Sequence, residues 1–147
     1  MAEFQIEREV VIDAPVEVVW RTITEPEQIR RWFADRVQLE LEPGGRGLMG
    51  FEDRAVPLVV ESVEPPSRFS FRWNHPAGAE PAAGNSTLVE FTLVGEGERT
   101  RLRVVESGLE LLAWPVGDKE RYAEEHRGGW ATYMDRLARL LAERPSE

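Results

Sequence analysis

Glu106 is the residue of this sequence best placed to do chemistry. Counting by twos from Leu102 and Val104 sets it on the apolar side of its strand. A carboxylate among apolar side chains must find a partner, take up a proton or reach water. The same alternation carries Phe69, Phe71, Trp73 and His75 along the inward face of another strand. If the segments around Phe91 and Leu102 pair through Gly95-Glu96-Gly97, with Phe91 opposite Leu102, then Thr87 falls opposite Glu106. Trp73, His75, Thr87 and Glu106 would then gather at one mouth of a cavity. There Glu106 could act as base and His75 as acid in a proton transfer. Alternatively, Glu106 with His75 or Arg54 could hold the polar end of a ligand. The plainest alternative is that Glu106 ends its strand and caps the next loop or faces solvent.

Other chemistries are disfavoured. With no cysteine, thiolate nucleophiles, disulfides and cysteine-ligated metals are excluded. His75 and His126 stand far apart without a His-Glu-x-x-His spacing, so no zinc site is expected. There is no Gly-x-Ser-x-Gly elbow and no glycine-rich loop opening a helix to cradle phosphate. No metal, no cofactor and no dedicated catalytic residue are expected. A net charge of −9 repels a phosphate backbone, which argues against nucleic acid as partner. Apolar runs fall far short of the roughly 18 residues of a membrane span. The opening Met-Ala-Glu-Phe-Gln-Ile-Glu-Arg lacks a signal-peptide core, so a cytoplasmic location is expected.

The elements that must position these residues follow from periodicity. Phe4, Ile6, Val10 and Ile12 alternate as a strand whose inward face is interrupted by Arg8. Asp13-Ala14-Pro15 offers a helix start before Val16, Val19, Trp20 and Ile23. Pro26 opens a second short helix reaching Phe33. Val37 to Leu41, Gly47 to Asp53 and Ala55 to Val63 read as strands, with a turn at Pro43-Gly44-Gly45. Three further strands alternate clearly around Phe69-Phe71-Trp73, Val89-Phe91-Leu93 and Leu102-Val104, each with one wet face. Glu90 would pair with Arg72 or Arg103 on that outer face. Asp118 caps a final helix of roughly 24 residues, whose Tyr122, His126, Trp130, Tyr133, Leu137, Leu140 and Leu141 recur every three or four. One strand, two short helices, many strands and one long helix make a single α+β domain over 1–147.

Two features bear on what lies between sheet and helix. Gly128-Gly129 sit inside the long helix, where each glycine costs up to about 1 kcal/mol relative to alanine. Close helix-on-sheet packing or a bend is the simpler account. The other is that missing side chains open volume for a pocket lined by Trp130 and Tyr133. The five tryptophans read first as core, although Trp32 and Phe33 could flank a pocket entrance and Trp114 could act as a lid. A binding cavity would hold a few hundred cubic ångströms.

Several motifs carry a resemblance when taken in order. They are Asp13-Ala14-Pro15-Val16-Glu17-Val18-Val19-Trp20, Glu25-Pro26, Arg31-Trp32-Phe33 and Pro43-Gly44-Gly45, then the run from Pro65-Pro66 to Trp73, Val105-Glu106-Ser107-Gly108 and Gly128-Gly129-Trp130. Together they resemble the prokaryotic proteins related to the C-terminal domain of the Hsp90 ATPase activator, an AHSA1-like branch of the START/Bet v 1-like (SRPBCC) superfamily. The resemblance spans nearly the whole chain. It implies a helix-grip fold, a curved antiparallel sheet of six to seven strands over a long C-terminal helix, enclosing a cavity for lipids, polyketides or other small apolar or aromatic molecules. The expected lining is Trp32, Phe33, Phe71, Trp73, His75, Thr87, Phe91, Glu106, Trp114, Trp130 and Tyr133. The activator's separate chaperone-gripping domain lies outside the resemblance, so chaperone activation is not carried over. Three functions stay open: a small-molecule binding module, an enzyme using Glu106 and His75, and a co-chaperone-like factor with a protein partner, as monomer or homodimer.

Overall fold

Alternating apolar and polar residues produce seven strands that hydrogen-bond into one antiparallel sheet in the computed structural model, which describes residues 5–52, 54–73 and 85–142. In chain order these are β1 (Ile6–Ile12), β2 (Arg36–Leu39), β3 (Arg46–Phe51), β4 (Arg54–Glu64), β5 (Arg68–Trp73), β6 (Thr87–Glu96) and β7 (Arg99–Ser107). Their spatial order is β1-β7-β6-β5-β4-β3-β2. Helices α1 (Val16–Thr24) and α2 (Pro26–Ile29) follow β1, and α3 (Val116–Ala142) closes the chain. A register shift between Val60 and Ser62 bulges β4 against β5, a device that bends a sheet and increases its twist. The sheet's inward residues, among them Phe69, Phe71, Val89, Phe91, Leu102 and Val104, are at most 2% exposed. Burying a side chain of this kind contributes about 1.5–3 kcal/mol. A curved sheet with α3 laid across its apolar face is the helix-grip arrangement.

Helix α3 packs chiefly along the β1 side of the sheet. Arg8, which breaks the apolar face of β1, has its Nη2 3.1 Å from Asp135 Oδ1 of α3 and so ties edge strand to helix. At the other side, β3, β4 and β5 are left with room between them and α3.

Several expectations need correction. Strands β6 and β7 continue to Glu96 opposite Arg99, so the turn holds only Gly97 and Glu98, with Gly97 at φ +70° as primed hairpin turns require. Phe91 therefore pairs with Val104, and Leu93 with Leu102. A slip of two leaves every side chain on its expected face. Helix α2 ends at Ile29, and turns carry the chain through Phe33, whose N–H still donates to Ile29 O at 2.9 Å. Pro15, not Asp13, precedes α1, and α3 starts at Val116, which places Asp118 within its first turn. On the outer face Glu90 pairs with Arg68, because Arg72 is held by Glu61 and Arg103 by Glu7. No helix among the described residues is long and apolar enough to cross a membrane.

Candidate functional site

Glu106 is 1% exposed, on the inner face of β7 between Ile6 of β1 and Val89 of β6. It is not a frayed strand end. Its two oxygens collect five donors from sheet and helix. From the sheet, Trp73 Nε1 donates to Oε2 at 3.1 Å and Thr87 Oγ1 at 2.6 Å. Thr87 reaches diagonally, since Val89 is the residue directly opposite. From α3, Tyr122 Oη donates to Oε2 at 2.6 Å and Trp130 Nε1 to Oε1 at 2.9 Å. His126 Nδ1 lies 2.7 Å from Oε1, and against an ionised carboxylate that nitrogen carries the proton. Tyr122, His126 and Trp130 are spaced by four, one above another on a single helix face.

Burial alone would push the Glu106 carboxyl up. The hydrogen bond and charge of His126, with the hydroxyls of Thr87 and Tyr122, outweigh it and hold the group down to about 2. Burial and the adjacent Glu106 charge push the Tyr122 phenol well above its usual range, which keeps it a donor. A carboxylate offers about four lone-pair sites, and five donors saturate them. Such a group is a weak base. Its work is to orient what donates to it.

Three of those donors also face solvent-accessible space. Trp73, His126 and Trp130 line a cleft of about 190 Å³, open on one side. Phe51 and Arg54 complete it from the sheet, Phe33 from the turns after α2, and Glu125, Gly129 and Tyr133 from α3. The rings of Phe33, Trp73 and Trp130 lie close to parallel, with Phe33 tilted 17° from Trp130 and 29° from Trp73 at centroid distances of 5.2 and 5.8 Å. Tyr133 and Phe51 stand edge-on to Phe33 at 4.9 and 5.3 Å. The Arg136 guanidinium lies 5.4 Å from the Tyr133 ring centroid. A Cβ added at Gly128 would meet nothing within 4 Å, and one at Gly129 only Tyr133, at 4.0 Å. Close packing therefore does not explain this glycine pair; Gly129 leaves space in the cleft wall.

The β3–β4 hairpin tip presents Phe51 and Arg54, which are register partners and so share a face. Glu52 turns the chain at φ +56°, and its N–H donates to Asp35 Oδ2 at 2.7 Å. Arg36 donates to the carbonyls of Glu52 and Arg54 at 3.1 and 3.2 Å. Both contacts come from the start of β2, which holds the tip from that side.

Of the residues expected to line a cavity, Phe33, Trp73, Trp130 and Tyr133 border this cleft. Thr87 and Glu106 lie beneath it in the donor cluster. Trp32, Phe71 and Phe91 do not border it; they fill the interior, with Trp32 Nε1 donating to Thr22 O at 2.9 Å. The cleft measures about 190 Å³, less than the expected few hundred. Trp114 packs edge-on against Tyr122 at 5.5 Å, away from the cleft. His75 lies outside the described residues. Among the described residues His126 is the histidine that meets Glu106, and with Tyr122 it is what inspection of the strands alone misses. The signal lay in the helix: three ring donors spaced by four, facing a strand that carries a carboxylate. Among the described residues, no group of three or more His, Cys, Asp or Glu side chains is arranged to hold a metal.

Comparison with known proteins agrees with this architecture. The sequence profile described as Activator of Hsp90 ATPase homolog 1-like protein matches residues 13–142. No curated protein matches the chain. The crystal structure of MLL2253 from Mesorhizobium loti superposes with a TM-score of 0.81 at 25% identity, covering 97% of this chain and 99% of that one. DynU16, from the dynemicin biosynthetic locus, gives 0.78 at 28% identity over 96% of this chain, which spans 48% of DynU16. The Aha1 dimer from Colwellia psychrerythraea shares the fold, with a TM-score of 0.76 at 18% identity over 93% of this chain and 95% of that one. With one profile running from before α1 to the end of α3, and the same fold in these structures, the chain belongs to the Activator of Hsp90 ATPase homolog 1-like protein family.

Proposed function

We propose that the protein binds a small flat aromatic molecule in the cleft between α3 and the β3–β5 side of the sheet. The observation that carries this reading is the set of near-parallel rings of Phe33, Trp73 and Trp130 beside a glycine that leaves the adjoining wall open. These rings already stack on one another at 5.2–6.0 Å, so a flat apolar ligand would lie beside them, gaining area burial and ring contact in the cleft. The volume, about 190 Å³, suits one or two rings. An apolar cavity of about 150 Å³ takes benzene, whereas drug-sized ligands occupy about 300–1,000 Å³. Glu106 supports the reading by fixing two of the walls, Trp73 and Trp130, through their indole N–H groups, so little ordering is left to be done on binding. A relative from a biosynthetic locus, DynU16, is in keeping with a small-molecule ligand. The saturated state of Glu106 speaks for binding over acid–base turnover at that carboxylate.

The test is isothermal titration calorimetry with 2-naphthol, on the wild type and on Gly129→Leu, which extends a side chain into the cleft. The wild type is expected to bind and the variant to lose at least tenfold in affinity. Equal binding by both would move the site elsewhere. No binding by the wild type, together with no small molecule co-purifying from the native host in native mass spectrometry, would overturn the reading.

A further inference from the structure

The cleft has a polar rim as well as aromatic walls, and the rim carries two opposite charges from opposite sides. Arg54 enters from the start of β4 and Glu125 from α3, one turn before Gly129. Among the described residues, neither side chain makes a hydrogen bond or ion pair, with the other or with a neighbour. Most other arginines are engaged: Arg72 by Glu61, Arg101 by Glu9 and Glu96, Arg103 by Glu7, and Arg36, nearest to Arg54, by the carbonyls of Glu52 and Arg54. The backbone of Arg54 is fixed by that Arg36 contact, and its register partner Phe51 faces the same space. A guanidinium held at the mouth of an aromatic cleft fits a planar acceptor such as a carboxylate. A carboxylate across from it fits a hydroxyl or amine donor.

Resting on the binding reading above, we infer that the ligand is a flat aromatic acid that also carries a hydrogen-bond donor, its carboxylate at Arg54 and its donor toward Glu125. The charge of Arg54 favours this over a quaternary ammonium ion. Rings at right angles, Tyr133 and Phe51 to Phe33, could also face a cation, but the Arg54 guanidinium at the rim would repel one.

Titration calorimetry with four probes separates the outcomes: 6-hydroxy-2-naphthoate, 2-naphthoate, 2-naphthol and a naphthyl trimethylammonium ion. The hydroxy acid is expected to bind about tenfold more tightly than 2-naphthol, the size of one charge-assisted contact of about 1.4 kcal/mol. Arg54→Gln should erase that advantage, costing the hydroxy acid about tenfold more affinity than it costs 2-naphthol, and Arg54→Lys should restore part of it. Glu125→Gln should reduce the preference for 6-hydroxy-2-naphthoate over 2-naphthoate. Both positions are exposed, so circular dichroism should show every variant folded. If 2-naphthol binds as tightly as the acids, or Arg54→Gln weakens all probes alike, the acid assignment is overturned and the aromatic cleft stands. If the ammonium ion binds most tightly, the sign is reversed and the assignment falls. If no probe binds, the acid assignment falls, and if nothing co-purifies in native mass spectrometry either, the binding reading falls with it.

Discussion

Replacing Glu106 with glutamine would turn one acceptor oxygen into an amide donor facing other donors: indole, hydroxyl or imidazole. A buried donor left against a donor, with the charge removed, is expected to lower the free energy of unfolding by about 3 kcal/mol, measurable by urea denaturation. The pH dependence carries the same information. Glu106 sits at about 2 in the folded protein against 4.5 for a free carboxyl. A depressed folded value means its contribution is complete above about pH 4.5 and is lost as pH falls toward 2. That contribution is on the order of 3 kcal/mol. Glu106→Gln should therefore flatten the stability profile between pH 4.5 and 2, and an unchanged acid limb would contradict the cluster. Much of this was legible beforehand. Parity alone puts Glu106 inward, and strand order brings Trp73 and Thr87 toward it. That His126 reaches Glu106 was not legible, because it depends on how far along the sheet α3 slides, which no local pattern records.

Within α3, the glycine pair separates packing from pocket. Since an added methyl group at Gly128 meets nothing and at Gly129 only an ordinary contact, Gly128→Ala and Gly129→Ala should each stabilise the protein by up to about 1 kcal/mol through helix propensity. Thermal melts of the two variants check this; a lower melting temperature would mean the helix approaches the sheet more closely at that point. Sequence shows that the pair is costly but not that Gly129 borders a cleft, since the facing wall comes from distant elements. The β6–β7 register shows a similar limit. Alternation fixes faces at a period of two and is blind to a slip of two, so only the length of the turn at Gly97 decides the pairing.

Across the whole molecule, the position of α3 toward β1, tied by Arg8 and Asp135, leaves the cleft on the β3–β5 side. Arg8 looked like a flaw in β1 because its partner lies in an element that sequence cannot dock. The order of strands and helices was plain from periodicity and from the ordered motifs. The volume beneath the helix was not, because it depends on how side chains from distant elements pack, which no local pattern records. The five tryptophans supply the most direct measurement. In a ¹H–¹⁵N correlation spectrum of the wild type titrated with 6-hydroxy-2-naphthoate, the indole N–H signals of Trp73 and Trp130 are expected to shift and saturate together, while those of Trp20, Trp32 and Trp114 stay in place. Unmoved Trp73 and Trp130 signals, or shifts confined to Trp20 or Trp114, would contradict an aromatic ligand seated between α3 and the sheet.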